Sequence, residues 1–307
     1  MPKQLTRRTL AAALALWGGV MAAGPLHAQG ASTVPSTLEG ASLRGGQDFE
    51  FVATVPLLGA TGAVRDGAGV VSGDKLDVRA SPDLLLKWSH QYPAFRVQAS
   101  VGVAMDRYRR FDRANGQAFQ GRFKWAWTDG SSDRFVPYAF YAGAFDYAED
   151  FRSRIDALHD VGVGFSSAVG FDAGGKPIPF RDTGEPGQSW ISLDGRGGRR
   201  MADPAGYENV FLQGAAELGV NVAPDLALAV TPTVRARWYG NYNGEARRDL
   251  RLGSTLRAAW TPPWLRKLFP RAELGLGVGW FRNRSTVRTA AYRQWEAGPS
   301  LEFGHKF

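Results

Sequence analysis

"FQGRFKWAW" occupies residues 119–127, and its reading decides the fold. Phe119, Gly121, Phe123, Trp125 and Trp127 share one parity, while Gln120, Arg122 and Lys124 share the other. A period of two marks a strand, whose successive side chains point to opposite faces. One face here is aromatic and the other polar and cationic. The alternation recurs along the chain. "FRVQASVGVAM" (95–105) sets Phe95, Val97, Val101 and Val103 against Arg96, Gln98 and Ser100. "LALAVTPTVRARW" (226–238) sets Leu226, Leu228, Val230, Val234 and Trp238 against Thr231, Thr233, Arg235 and Arg237. "AELGLGVGW" (272–280) sets Leu274, Leu276, Val278 and Trp280 against Glu273 and three glycines.

Two β architectures compete for this pattern. A soluble sandwich or lipocalin-like barrel has shorter strands, polar residues outside and apolar ones within. Arginines on successive strands would then point into a dry core, where an unpaired charge is strongly unfavourable. A membrane barrel inverts the arrangement, with an apolar outer face, a polar lumen and aromatic girdles at both interfaces. The pattern therefore predicts an all-β, transmembrane, antiparallel up-and-down β-barrel of about 12 strands. The 38 glycines and 10 tryptophans suit such a protein. The chain has no cysteine, which excludes a disulfide framework and thiolate metal sites.

The front end reads as a secretory signal. Lys3, Arg7 and Arg8 precede an apolar stretch from Leu10 to Ala23, and "LHA" (26–28) offers a cleavage point. We expect a signal peptide over 1–28, a flexible leader over 29–46 and one barrel domain over 47–307. The formal net charge is +8, and losing Lys3, Arg7 and Arg8 with the signal lowers it by three. That mildly basic balance is far from a nucleic-acid-binding signature, and no nucleic-acid partner is expected.

The chain ends "LEFGHKF" (301–307), with Leu301, Phe303 and Phe307 on one parity. This resembles the C-terminal assembly signal of Gram-negative outer-membrane β-barrel proteins, with His305 where that pattern more often has an aromatic. The resemblance covers the mature chain as a class and matches no single family's diagnostic motif. It implies residence in the cell outer membrane, folding by the barrel assembly machinery, and contact with outer-membrane lipids and lipopolysaccharide. A homo-oligomer stays open.

Strands are expected near 47–57, 76–90, 94–108, 116–128, 134–147, 156–171, 187–195, 208–222, 226–240, 250–262, 271–284 and 291–307. The outer loops then fall around 109–115, 148–155, 196–207, 241–249 and 283–291. The stretch 172–207 fits least well. It forces a long periplasmic turn and a poorly patterned seventh strand, so ten and fourteen strands stay open.

Some barrels of this class are proteases that use paired aspartates with histidine, or lipid-cleaving enzymes that use serine and histidine. His159 and Asp160 are adjacent, as are Ser89 and His90, so each pair points to opposite faces and makes no base–nucleophile couple. No catalytic, metal or cofactor site is predicted. The lumen is expected to carry Arg96, Arg122, Lys124, Arg235, Arg237, Arg251 and Arg257, and the acids Glu50, Glu217, Glu273, Glu296 and Glu302. Two readings follow: a transverse field that selects solutes in an open lumen, or paired charges that fill a narrow barrel.

"RYRRFDRANG", "GRGGRRMADPAGY", "GEARRDLR" and "FRNRSTVR" read as arginine-rich outer loops able to contact lipopolysaccharide phosphates. The expected function is a non-enzymatic, porin-like channel for small polar or charged solutes. The alternative is a surface-assembly, secretion or adhesion barrel acting through its outer loops, and a surface hydrolase is third.

Overall fold

The computed structural model describes residues 47–66, 69–109, 115–128, 134–148, 154–242, 245–269 and 271–306, with the backbone alone over 60–76 and at single positions elsewhere. The expected signal peptide, the leader and Phe307 lie outside the described residues. The elements in chain order begin with β1 (Gln47–Asp66), β2 (Gly69–Ala80), β3 (Asp83–Gln91), β4 (Arg96–Tyr108) and β5 (Gly116–Ala126). Next come β6 (Val136–Ala148), β7 (Arg154–Phe171), the two-residue β8 (Pro177–Ile178), β9 (Ser189–Asp203) and β10 (Asn209–Ala223). The chain continues through β11 (Leu226–Tyr242), β12 (Glu245–Trp260), the short helix α1 (Pro263–Leu268), β13 (Arg271–Ser285) and β14 (Tyr292–Lys306).

Each long strand pairs antiparallel with its neighbours, and β14 returns to pair with β1 from Glu50↔Lys306 to Gly62↔Gln294. Closure leaves no sheet edge, which is the condition for a β structure in a medium that cannot hydrogen-bond. β1 pairs with β2 along Leu57–Asp66 and with β3 along Gln47–Thr54, so β2 and β3 form one stave interrupted at Ser81 and Pro82. Counted this way, the barrel has 12 strands. Pro82 cannot donate to a ladder, and the break is bridged by Ser81 N–H donating to Pro56 O and Met105 N–H to Pro82 O.

Between the rims, the described outward positions are predominantly apolar. Val101 is 61% exposed, Val163 64%, Leu212 59% and Leu276 59%. In water this would be one continuous hydrophobic surface, whereas in lipid it is the required one. At the rim where β1 begins and β14 ends (the near rim), Trp88, His90, Tyr92, Phe95, Trp125 and Trp127 form an unbroken ring-to-ring belt. At the opposite, far rim, Trp280 and Trp295 sit on paired positions of β13 and β14 with centroids 6.4 Å apart. In the class this chain resembles, the near rim is periplasmic.

The difficult stretch resolves into a built turn followed by a regular strand. Asp172 Oδ1 accepts from the N–H groups of Gly174 and Lys176, both at 2.9 Å, and Gly175 and Gly187 take φ of 81° and 82°. β9 then pairs with β7 from Phe171↔Ser189 to Ala157↔Asp203. The expected outer loop over 196–207 is therefore corrected, since the strand runs to Asp203. The expected loop over 241–249 is corrected likewise: β11 reaches Tyr242 and β12 starts at Glu245. In both stretches arginines taken for loop residues keep the strand's alternation.

Candidate functional site: the inner wall of the barrel

Register decides which residues share the lumen. Phe140 of β6 pairs with Gly162, Gly162 with Gly198, Gly198 with Phe211, Phe211 with Arg237, and Arg237 with Asp249. The next inward row runs Tyr138, Gly164, Arg196, Gln213, Arg235, Arg251 and Asn283. Several inward glycines are covered by neighbouring aromatic rings. A methyl group on Gly164 would fall 2.6 Å from Tyr138 Cζ, on Gly219 2.1 Å from Trp190 Cζ2, and on Gly253 2.4 Å from Phe281 Cδ1. The rings lie along the wall because these glycines leave room for them.

Cations lie over the same rings. Lys124 Nζ is 4.1 Å from the Tyr138 centroid, and the guanidinium carbons of Arg251 and Arg247 are each 4.5 Å from Phe281 and Tyr239. Such contacts favour a cation that has lost part of its water shell. Two side chains anchor the polar wall further: Tyr138 OH donates to Asp194 Oδ2 at 2.7 Å and Trp190 Nε1–H to Glu217 Oε1 at 2.7 Å.

Ion pairs line the same wall, most of them between staves. Arg200 donates from Nε and Nη2 to the two oxygens of Asp160, at 2.6 and 2.7 Å, and Arg235 Nη2 stands 3.8 Å from the same carboxylate. Arg247 makes a two-point pair with Asp249 at 3.0 and 2.5 Å. Arg79 reaches Glu296 at 3.1 Å and Asp106 at 3.7 Å, and Ser81 Oγ donates to Asp106. Arg257 pairs with Glu273 and stands 3.5 Å from Glu302. Over β9–β12, from Arg196 to the far rim, the described inward charges are six arginines (196, 200, 235, 237, 247 and 251) and one carboxylate, Asp249. Asp160 of β7 adds a second carboxylate, and Asp194 lies one step below.

The structure places Arg96, Arg122, Lys124, Arg235, Arg237, Arg251 and Arg257 on inward register positions, together with Glu50, Glu217, Glu273, Glu296 and Glu302. It brings Arg257, Glu273 and Glu302 together, and puts Arg235 directly opposite Arg251. Glu217 meets Trp190 instead of a cation, and Arg122 donates to Gln120, which in turn donates to Asp83. Leu301 and Phe303 face outward, and Phe303 packs edge-on against Phe269 at 5.3 Å. His159 faces lipid and bonds the Tyr141 hydroxyl at 2.8 Å, while Asp160 faces the lumen. Sequence reasoning missed Arg79, Asp106, Arg196, Arg200, Arg247 and Asp249. Continuing the alternation of Trp190, Ser192 and Asp194 through "RGGRR" would have found Arg196 and Arg200.

Burial is uneven along the lumen. Toward the far rim, Asp106, Asp146, Asp156, Arg200, Arg247 and Asn283 are each at most 5% exposed. Nearer the other rim, Arg122 stays exposed and Lys124, Gln98 and Ser192 are half-buried. Buried inward side chains also occur on the near side, Ala126, Trp190 and Glu302 among them, so close packing is not confined to one end of the wall.

A closed 12-strand antiparallel barrel with an apolar belt, aromatic girdles and a charged lumen is a transmembrane β-barrel of the outer-membrane class. No protein-family model matches the chain, and no curated protein matches its sequence. Among solved structures it is similar to the COG4313 outer membrane channel from Pseudomonas putida F1, with TM-score 0.48 and 13% identity over 88% of this chain and 98% of that one. It is similar also to the KdgM porin in complex with disordered oligogalacturonate, with TM-score 0.40 and 9% identity over 82% and 98% of the two chains. The translocator domain of autotransporter NalP from Neisseria meningitidis gives 0.42 and 9% over 96% and 97%. At this level none of them informs what this chain binds or passes.

Proposed function

We propose that the protein is a non-enzymatic outer-membrane channel for small polar or charged solutes, with anions favoured. The observation that carries this reading is the arginine wall of β9–β12. Guanidinium groups in a partly dehydrated channel attract and orient carboxylate, sulfonate or phosphate groups, and repel cations. The aromatic rings beneath them hold the cations in place without long side chains crossing the lumen. The test is single-channel conductance of the refolded barrel in a planar bilayer, with a reversal potential under a salt gradient. Steady steps with an anion-side reversal potential support the reading, and a silent, correctly folded barrel overturns it. The many buried side chains within the lumen favour a second reading, in which the barrel is a scaffold for surface assembly or adhesion. A silent barrel that retains a partner protein on its far-rim surface would establish that one instead.

A further inference from the structure

Four arginines stand on the lipid-facing side of the barrel at the far rim. Arg282 and Arg284 are on outward positions of β13, Arg293 on β14 and Arg248 on β12. Arg282 is paired directly with Arg293, and the groups acting on Arg282 are the repelling charges of Arg284 and Arg293. Like charges directly opposite on a sheet are destabilising. The described outward positions of β12, β13 and β14 hold no carboxylate, and among the described residues none of the four arginines has an ion-pair partner. Elsewhere on the same rim outward arginines do find acids: Arg154 meets Asp203 at 2.5 Å and Arg199 meets Glu208 at 3.5 Å. The unbalanced patch is local, and it asks for an anion from outside the chain.

Its position limits what that anion can be. Trp280 and Trp295 lie one outward step below Arg282 and Arg293, at the interface level where tryptophans sit in a membrane. A shallow groove further toward the same rim is lined by Trp238 and Leu250 with Arg248 and Arg284, by Ser285 and Thr286, and by Asp249, whose carboxylate is held by Arg247. The Arg248 strand end is fixed there, because Thr286 N–H donates to Arg248 O and Arg248 N–H to Thr286 Oγ1. Apolar side chains directly beside guanidinium forks, Trp238 next to Arg248 and Leu250 next to Arg284, fit a molecule with an acyl chain and a phosphate headgroup. We infer that this face binds a phosphorylated glycolipid of the surrounding leaflet, its phosphates held by Arg248, Arg282, Arg284 and Arg293 and its chains laid against Trp238 and Leu250.

The test uses the detergent-purified barrel incubated with bisphosphorylated lipid A, with retained lipid counted by native mass spectrometry. Retention should fall by about tenfold in Arg282→Gln/Arg293→Gln and in Arg248→Gln/Arg284→Gln, since each removes two charge-assisted contacts. It should persist in Arg154→Gln/Arg199→Gln, which alters the paired arginines elsewhere on the rim. Unchanged heat-modifiable gel mobility would show that every variant is folded. Millimolar inorganic phosphate should not compete, and phosphatidylcholine should not be retained. Equal retention by all variants, equal retention of phosphatidylcholine, or displacement by free phosphate would each overturn the inference, the last by showing a simple anion site.

Discussion

Phe140 of β6 and Phe211 of β10 stand with ring centroids 6.3 Å apart, although β7 and β9 run between their strands. Neighbouring strands lie about 4.8 Å apart, so rings rooted three strands apart must lean along the wall to meet. They meet because the inward positions between them are Gly162 and Gly198, paired with each other and with the two phenylalanines. Arg196 lies over Phe140 at 5.6 Å and Arg235 over Phe211 at 5.1 Å. Glycine, aromatic ring and guanidinium thus form three layers, with the cation outermost toward the lumen.

The innermost layer should tolerate no side chain. A methyl group on Gly162 would lie 2.1 Å from Gly197 O, and one on Gly198 2.2 Å from Val161 O, so the backbone itself would have to move. Gly162→Ala and Gly198→Ala should each destabilise the barrel by about 1–3 kcal/mol, the usual range for overpacking. Gly121→Ala and Gly277→Ala meet nothing closer than 3.9 and 3.8 Å and should be close to neutral. Urea unfolding followed by tryptophan fluorescence separates the two groups. A similar loss at all four positions would show that the close approach of β7 and β9 at Gly162 and Gly198 is not what excludes a side chain there.

Asp160 should matter through the charge it balances. Arg200 is 2% exposed, and its guanidinium is held at two points by Asp160. Asp160→Asn leaves that cation buried without its counter-charge, for which about 3–5 kcal/mol is expected. Replacing both residues, as Asp160→Leu/Arg200→Leu, should recover most of the loss, because an apolar pair removes the desolvation penalty along with the charges. Additive losses in the same unfolding measurement would show that the two residues do not act as a pair.

The barrel class and its twelve strands were legible in the sequence because membrane strands keep strict alternation, as "FQGRFKWAW" and "AELGLGVGW" do. Alternation reports a face and not a height, so it could not say that Asp160 meets Arg200 or that Arg79 reaches Glu296. Those contacts depend on register across staves distant in sequence. The stretch "DGRGGRR" misled for a different reason. Glycines at 195, 197 and 198 look like turn residues, yet Gly195 lies under the Phe165 ring on the outside, and Gly198 is paired with Phe211 and pressed against the Val161 carbonyl. On β6 both parities are aromatic, with Tyr138 and Phe140 inward and Tyr141 and Phe145 outward, so period-two reading had no contrast to use.

Arg257 is expected to be a stability residue. Glu273 and Glu302 are paired directly across β13 and β14, and Arg257 is the cation that joins them. Arg257→Gln leaves two carboxylates facing each other and should lower stability by about 2 kcal/mol. A second change, Glu273→Gln, should restore much of it. If Arg257→Gln shifts ion selectivity while leaving the unfolding midpoint unchanged, the residue belongs to the permeation path instead.

Arg235 and Arg251 should behave in the opposite way. They are directly opposed on β11 and β12, so each raises the energy of the other, and their mutual repulsion is relieved when one charge is removed. The relieved repulsion offsets the lost contacts to Asp160, Phe211 and Phe281, so Arg235→Gln/Arg251→Gln should leave stability within about 1 kcal/mol, while reducing anion-over-cation preference several-fold. Screening supplies an independent check. The Debye length falls from about 10 Å at 0.1 M salt to about 3 Å at 1 M, so wild-type preference should decline steeply over that range. The double variant should show a flatter dependence. Reversal potentials measured at both salt concentrations for both proteins decide the matter. Parallel curves would mean that these two arginines do not set the field in the lumen.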